Sequence, residues 1–251
     1  MLYAVLFGGV LWLKRDGAGD GARTMNISVR RVMEYGLIQF MLLWPLRVSA
    51  APLDLPDTFV TRVEVLALLE TLNAELLSNP SATVTLERWC GAHHLAPDPK
   101  VVARLKRGED KAISPEDRQR LGVTADEPVR YRRVQLLCGE KMLSEADNWY
   151  VPSRLTPEMN RRLDETDEPF GRVVKALEFH RETLSAVLLW RPLPEGWELA
   201  PPPPSAPERL QVPDHVLEHR AILYTRAHVP FSLLVETYRK DVLDFPFTPP
   251  Q

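Results

Sequence analysis

Apolar residues recur with two different periods along residues 54–245, which predicts a mixture of helices and strands. Between residues 59 and 77 the apolar positions are three or four residues apart, which places them on one face of a helix that ends near Asn79. That face consists of Val63, Leu66, Leu69, Leu72, Leu76 and Leu77. Residues 82–89 alternate between apolar and polar side chains instead, so we predict a half-buried strand there.

Capping and turn residues mark the remaining elements. Ser114-Pro115 and Thr156-Pro157 each combine an N-cap residue with proline at the first helical position, and Gly122 stands where a C-cap glycine is expected. Residues 100–106 fit either a helix or a strand. Strands are predicted at residues 129–138, 142–151, 183–191, 219–225 and 230–238, with hairpin turns at residues 139–141 and 226–229.

The order of these elements predicts the fold class. The strands come in adjacent pairs, and the helices lie early and in the middle of the chain, without a strand-helix-strand rhythm. We therefore predict an α+β fold with a single antiparallel β-sheet and helices packed on one face. The segment at residues 192–213 contains four consecutive prolines, which favour polyproline II, so we interpret it as a proline-rich surface loop.

The first fifty residues have the pattern of a secretory signal peptide. From Met25, basic residues precede an apolar stretch, and Val48-Ser49-Ala50 supplies the residues expected before cleavage after Ala50. We expect translation to start at Met25 rather than at Met1. The alternative is an apolar helix that the mature protein retains, because charged residues interrupt the stretch.

Cleavage after Ala50 leaves one mature domain, residues 51–251, in the periplasm or outside the cell. This domain has 25 Lys and Arg against 31 Asp and Glu, a formal net charge of −6. We expect no stable membrane insertion of the mature domain. We also expect no nucleic-acid partner, since binding to phosphates calls for a clustered basic face.

The cysteines and histidines do not form a metal-binding pattern. Cys90 and Cys138 are the two cysteines, and in an exported protein they form either a disulfide or two buried free thiols. His93 and His94 are adjacent, so their side chains diverge on a helix and on a strand alike. With no phosphate-binding loop, nucleophile elbow or zinc motif in the sequence, we expect neither a metal nor an organic cofactor.

Four blocks of residues carry a family resemblance. They are Thr71-Leu72 with residues 82–85, residues 133–152, Pro-Phe-Gly-Arg at 169–172, and Ser-Leu-Leu-Val-Glu at 232–236. The second block begins Arg-Val-Gln-Leu-Leu-Cys-Gly-Glu and ends Val-Pro. In order and spacing the four blocks resemble the chorismate pyruvate-lyase family of ubiquinone biosynthesis, over about residues 55 to 245. The effector-binding domains of GntR/HutC-type repressors share that fold, so the fold alone does not decide the function.

The resemblance implies roles for four residues. Arg133 corresponds to the arginine that holds a carboxylate of chorismate or 4-hydroxybenzoate, although the pattern also fits an exposed edge position. By alternation Arg133 faces the side opposite to Arg132. Glu236 follows an apolar run, where a carboxylate must be paired, hydrogen-bonded or protonated, and it corresponds to a general acid or hydroxyl anchor. Leu72 and Phe170 correspond to positions that present backbone amides and apolar walls to the ligand.

Two hypotheses follow. In the first, the protein is a carbon-oxygen lyase that converts chorismate to 4-hydroxybenzoate and pyruvate. In the second, it is a non-catalytic exported protein that binds a small (aromatic) carboxylate in the same pocket, lined by Trp149, Tyr150 and Phe170. Export favours the second hypothesis, because chorismate is a cytosolic intermediate. Phe170 in place of the family's usual leucine and the added proline-rich loop also depart from the enzyme. The oligomeric state is left open.

Overall fold

The computed structural model describes residues 5–7, 10–12, 54–108 and 110–246, which belong to two compact units, residues 1–50 and 51–251. In the first unit, β1 (Val5–Phe7) pairs in antiparallel fashion with β2 (Val10–Trp12). The predicted signal segment from Met25 and its cleavage site lie outside the described residues. Across the described ranges, no helix combines the length and the apolar character needed to cross a membrane.

The second unit is built on a six-stranded antiparallel sheet. Its helices are α1 (Phe59–Leu77), α2 (Ala82–Ala92), α3 (Pro115–Arg120), α4 (Pro157–Glu165) and α5 (Phe170–Val173). Its strands are β3 (Val101–Lys106), β4 (Arg130–Cys138), β5 (Lys141–Tyr150), β6 (His180–Leu188), β7 (His215–Tyr224) and β8 (Pro230–Arg239). The strand order is β3-β4-β5-β8-β7-β6. The predicted α+β class and the antiparallel sheet are confirmed.

Short 3₁₀ turns complete the unit. They lie at Pro152–Arg154, Lys175–Leu177, Trp197–Leu199 and Lys240–Leu243. The proline-rich segment connects β6 to β7, and the third of these turns lies within it.

The two faces of the sheet are covered differently. Helices α1, α2, α4 and α5 pack over one face, which carries Val134, Leu223 and Tyr238 and which we call the helical face. Four of the five helices of this unit therefore lie on one face, as predicted, and α3 is the exception. The opposite face is covered in part by α3 and the residues that follow it, where Leu121 packs against Leu233.

Two predicted helices are confirmed, although the predicted apolar face of α1 is only partly buried: Leu69, Leu72 and Leu76 are buried, whereas Leu77 is exposed. Helix α1 begins after Thr58, whose side-chain oxygen accepts a hydrogen bond from the backbone N–H of Thr61 at 3.1 Å. Helix α4 begins after the predicted N-cap Thr156 in the same way and buries Met159 and Leu163. Both helices therefore have an N-cap and an apolar face directed into the core.

The predicted strand at residues 82–89 is wrong, because these residues form the first part of α2. Ser81 is its N-cap, with its side chain accepting from the N–H of Val84. The buried positions are Ala82, Thr83, Thr85, Leu86, Trp89 and Cys90, which recur with the period of a helix. The period-two alternation over eight residues was coincidental, and the N-cap preceding it was the better guide.

A disulfide joins α2 to the end of β4. Cys90 and Cys138 are fully buried, and their Cα atoms lie 6.6 Å apart. The 48-residue separation between them means that the cross-link restricts the unfolded chain, which typically stabilises a domain by about 2–4 kcal/mol. Gly139 follows directly with a φ of +58°, so the tight turn between β4 and β5 suits glycine.

Candidate functional site

A cavity lies on the helical face and is partly open to solvent; the empty space in and around it, open solvent included, is about 530 Å³. Residues 80–83 at the start of α2 and Phe170-Gly171 at the start of α5 line its sides, and side chains of the sheet line its floor. Its polar lining residues are Ser81, Thr83, Arg132, Asn148, Arg181 and Glu236. We call it the helical-face cavity.

Strand alternation brings these side chains together. On β4, Arg132 and Val134 point to the helical face, and their partners on β5 are Asn148 and Ala146. Ala146 in turn neighbours Glu236 on β8. Because Ala146 is small, it leaves the space between these larger side chains that the cavity occupies.

Arg132 is a buried guanidinium with spare donors. The residue is only 5% exposed, and its Nη2 donates to the backbone oxygens of Thr166 at 3.3 Å and Glu168 at 2.9 Å. Its Nε and Nη1 have no hydrogen-bond partner among the described residues. Burial lowers the pKa of Arg132, since the low-polarity surroundings disfavour its charged form.

Glu236 is held in a buried ion pair with Arg181. The Nη1 of Arg181 lies 2.6 Å from Oε2 of Glu236, and the Tyr238 hydroxyl donates to the same oxygen at 3.3 Å. Burial alone would lower the pKa of Arg181, but the neighbouring acidic groups raise it overall. Burial raises the pKa of Tyr238 well above its usual value, so this hydroxyl stays neutral. Nε and Nη2 of Arg181 have no partner in the described part of the chain.

The lining is rich in unsatisfied donors. Five buried side-chain nitrogens of Arg132, Asn148 and Arg181 have no hydrogen-bond partner among the described residues. No buried side-chain oxygen of the described lining residues lacks a partner. The first residues of α2, whose N–H groups lack acceptors within the helix, belong to the same lining. Because a buried donor without a partner costs free energy, the cavity is suited to an anionic, acceptor-rich ligand.

The structure brings Glu236 and Phe170 into this cavity but places Arg133 elsewhere. Arg133 lies on the opposite face of the sheet, where it lines a different pocket together with Glu145 and Asp147, 3.7 Å and 3.8 Å from its guanidinium. The alternation between Arg132 and Arg133 is as predicted, but the cavity lies on the side that Arg132 faces. Both faces of β4 carry buried residues, so its sequence does not tell which face holds the helical-face cavity.

The other predicted pocket residues serve the core. Leu72 is fully buried within α1 and is not among the residues that line the cavity. Trp149 lies on the opposite face, where its Nε1 donates to the backbone oxygen of Lys111 at 2.7 Å. Tyr150 packs behind Phe170, with ring centroids 5.7 Å apart.

Sequence analysis missed Arg132, Asn148, Phe179 and Arg181 as cavity residues, together with the start of α2. The Ser81 N-cap was the one local signal that was available for α2. The strand was predicted to begin at residue 183, after Phe179 and Arg181. The sequence pattern therefore did not assign these two residues to a face of the sheet. No group of three or more His, Cys, Asp or Glu side chains in the described ranges is arranged to hold a metal ion.

The fold and the cavity define an α+β protein with a partly open pocket whose lining residues carry buried donors. No protein-family model matches the chain. The uncharacterized protein y4mC of Sinorhizobium fredii is 54% identical over 193 residues, which are 76% of this chain and 81% of that protein. The chain belongs to the same family as y4mC.

Solved structures with a similar fold include three from bacterial regulators. The effector domain of PhnF from Mycobacterium smegmatis is 16% identical over 67% of this chain and 93% of that one, with a TM-score of 0.40. The structure of PhnF from the same organism is 14% identical over 88% of this chain and 97% of that one, with a TM-score of 0.41. The C-terminal domain of the histidine utilization repressor from Pseudomonas syringae is 11% identical over 61% of this chain and 99% of that one, with a TM-score of 0.36.

A buried histidine lies beside the ion pair. His219 on β7 is the register partner of Glu236, and its Nε2 lies 2.8 Å from Oδ1 of Asn73 on α1. Its ring meets that of Tyr238 edge-on, with centroids 5.5 Å apart. Burial lowers the pKa of His219 to about 4, with Arg181 acting in the same direction and Glu236 against it. His219 is therefore neutral in the folded protein at neutral pH.

We predict that His219 makes the fold sensitive to mild acid. The unfolded chain protonates this histidine near pH 6.5 and the folded protein only near pH 4, so the free energy of unfolding falls as the pH drops between these values. From pH 6.5 to pH 5 the loss from this group is about 2 kcal/mol. Urea unfolding at both pH values measures it, with His219→Gln as the control that lacks this loss. An equal pH dependence in the two proteins would contradict the assignment.

Proposed function

We propose that this protein binds a small organic carboxylate in the helical-face cavity. Arg132 then takes the role that the sequence analysis assigned to Arg133. The supporting observation is the set of five buried nitrogens without partners, because a carboxylate supplies acceptors to several of them at once. The start of α2 adds the positive end of a helix dipole on the same side.

The remaining walls suit a flat hydrocarbon frame. Phe170 and Phe179 line the cavity together with Val134, Leu223 and Leu234. Aromatic and branched side chains of this kind pack well against a planar ring, while the guanidinium fixes the orientation of the acid. An aromatic monocarboxylate such as 4-hydroxybenzoate fits both properties of the lining.

Two adjacent arginines test the proposal with a matched control. We expect Arg132→Gln to weaken 4-hydroxybenzoate binding at least tenfold, because a charge-assisted hydrogen bond typically contributes about 1.5–3 kcal/mol. Arg133→Gln, on the opposite face, is expected to change the affinity less than twofold. Titration calorimetry on the purified protein measures both, and melting curves check that the variants fold. Binding that is lost in Arg133→Gln and retained in Arg132→Gln would overturn the assignment.

A chorismate lyase is the second candidate function. It is favoured by the placement of Glu236, the expected acid, in the same cavity as Arg132. Against it, Oε2 of Glu236 is engaged by Arg181 and Tyr238, an arrangement that suits a structural counter-ion better than a proton donor. We therefore expect no release of 4-hydroxybenzoate when the protein is incubated with chorismate and absorbance is followed. Turnover that Glu236→Gln abolishes would establish the enzyme instead.

We also propose that the protein is exported. The signal-peptide pattern before Ala51 supports this, and so does the disulfide between Cys90 and Cys138, since such bonds persist in oxidising compartments. We expect the protein in the periplasmic fraction of the native bacterium or in the culture medium, with Ala51 as its first residue by N-terminal sequencing. Recovery from the cytoplasm with residues 25–50 attached would contradict export.

A further inference from the structure

We propose that Arg181 binds a second group of the ligand, an uncharged hydrogen-bond acceptor such as a carbonyl oxygen, at the end opposite its carboxylate. This inference rests on the proposed function, because it concerns the same cavity. The observation behind it is that Arg181 and Arg132 both line the cavity and both retain unpartnered nitrogens, but only one of them is paired with a carboxylate.

The two arginines lie on the same face of the sheet and approach the cavity from opposite directions across the strands. Arg132 lies on β4 and Arg181 on β6, and three strands run between them. At the usual spacing between strands their Cα atoms are roughly 19 Å apart. Each long side chain extends inward over the helical face to reach the same cavity. A ligand between the two guanidinium groups therefore presents one end to each.

Both guanidinium groups are positively charged, but only that of Arg181 is paired with a carboxylate. Among the described residues Arg132 donates to backbone oxygens and forms no ion pair, and the carboxylates of Asp164 and Asp167 act on it only from beyond ion-pair distance. Arg181 is neutralised by Glu236, 2.6 Å away. The carboxylate of the ligand therefore belongs at Arg132. A second carboxylate near Arg181 would also lie near Glu236 and be repelled by it.

The free nitrogens of Arg181 specify what the second group is. Nη1 is used by Glu236, and Nε and Nη2, which lie along one edge of the guanidinium plane, have no partner in the described part of the chain. Both can only donate hydrogen bonds. A carbonyl oxygen accepts from both without carrying charge and without bringing a proton that would need an acceptor of its own.

Three probes of matched shape separate the alternatives: 4-acetylbenzoate, 4-isopropylbenzoate and terephthalate. Calorimetry on the unmodified protein is expected to show 4-acetylbenzoate binding at least tenfold more tightly than 4-isopropylbenzoate, which lacks the acceptor. Terephthalate, with a second charge, is expected to bind more weakly than 4-acetylbenzoate. Equal affinities for the acetyl and isopropyl compounds would overturn the inference, and so would tightest binding of terephthalate.

Two variants connect the preference to Arg181. Arg181→Gln together with Glu236→Gln removes both members of the ion pair, so no unpaired charge stays buried, and is expected to abolish the advantage of the acetyl group. Glu236→Gln alone leaves Arg181 charged and is expected to shift the preference at least tenfold toward terephthalate. An unchanged preference in the folded single variant would overturn the role of Arg181, even if the double variant fails to fold.

The same titrations keep this inference distinct from the proposed function. If all three probes bind equally and Arg132→Gln weakens each of them, the carboxylate site stands and the inference about Arg181 fails. If none of the probes binds to the unmodified protein, both are overturned.

Discussion

The buried ion pair between Arg181 and Glu236 is the interaction on which the cavity depends. Removing two charges from water costs several kcal/mol for each ion, and their attraction offsets that cost only while they stay in contact. Because Arg181 lies on β6 and Glu236 on β8, the guanidinium has to cross β7 on the helical face. Contact between them therefore ties three strands together. Around the pair, Tyr238 and His219 are uncharged at neutral pH, so the pair is a neutral unit in the floor.

The walls above this floor are attached to the sheet at several points. The disulfide joins α2 to β4, and an ion pair between Arg172 and Glu87 joins α5 to α2. Arg132 itself holds the backbone that leads into α5 through two carbonyl oxygens. A binding site is selective when its groups are held in place by contacts of this kind before the ligand arrives. The same contacts connect Arg132 to the wall that a ligand would touch.

Much of the fold could be predicted from local patterns. The periodicity of α1, the caps of α3 and α4 and the β4–β5 hairpin all follow from interactions between residues close in sequence. Glu236 was expected to need a partner because of the apolar run before it, and the structure shows that it has one. The strand prediction for residues 82–89 failed because a short alternation of apolar and polar residues also occurs by chance within a helix whose buried face is wide.

By itself, the sequence determined the fold class, the faces on which alternating residues lie, and the need of a buried carboxylate for a partner. Only the tertiary structure decided that Arg132 rather than Arg133 lines the cavity, and that Arg181 is the partner of Glu236. Alternation separates the two faces of a strand, but which face carries a pocket depends on the helices that pack there. The pairing of Arg181 with Glu236 joins residues 55 positions apart through the strand order, which local patterns do not encode.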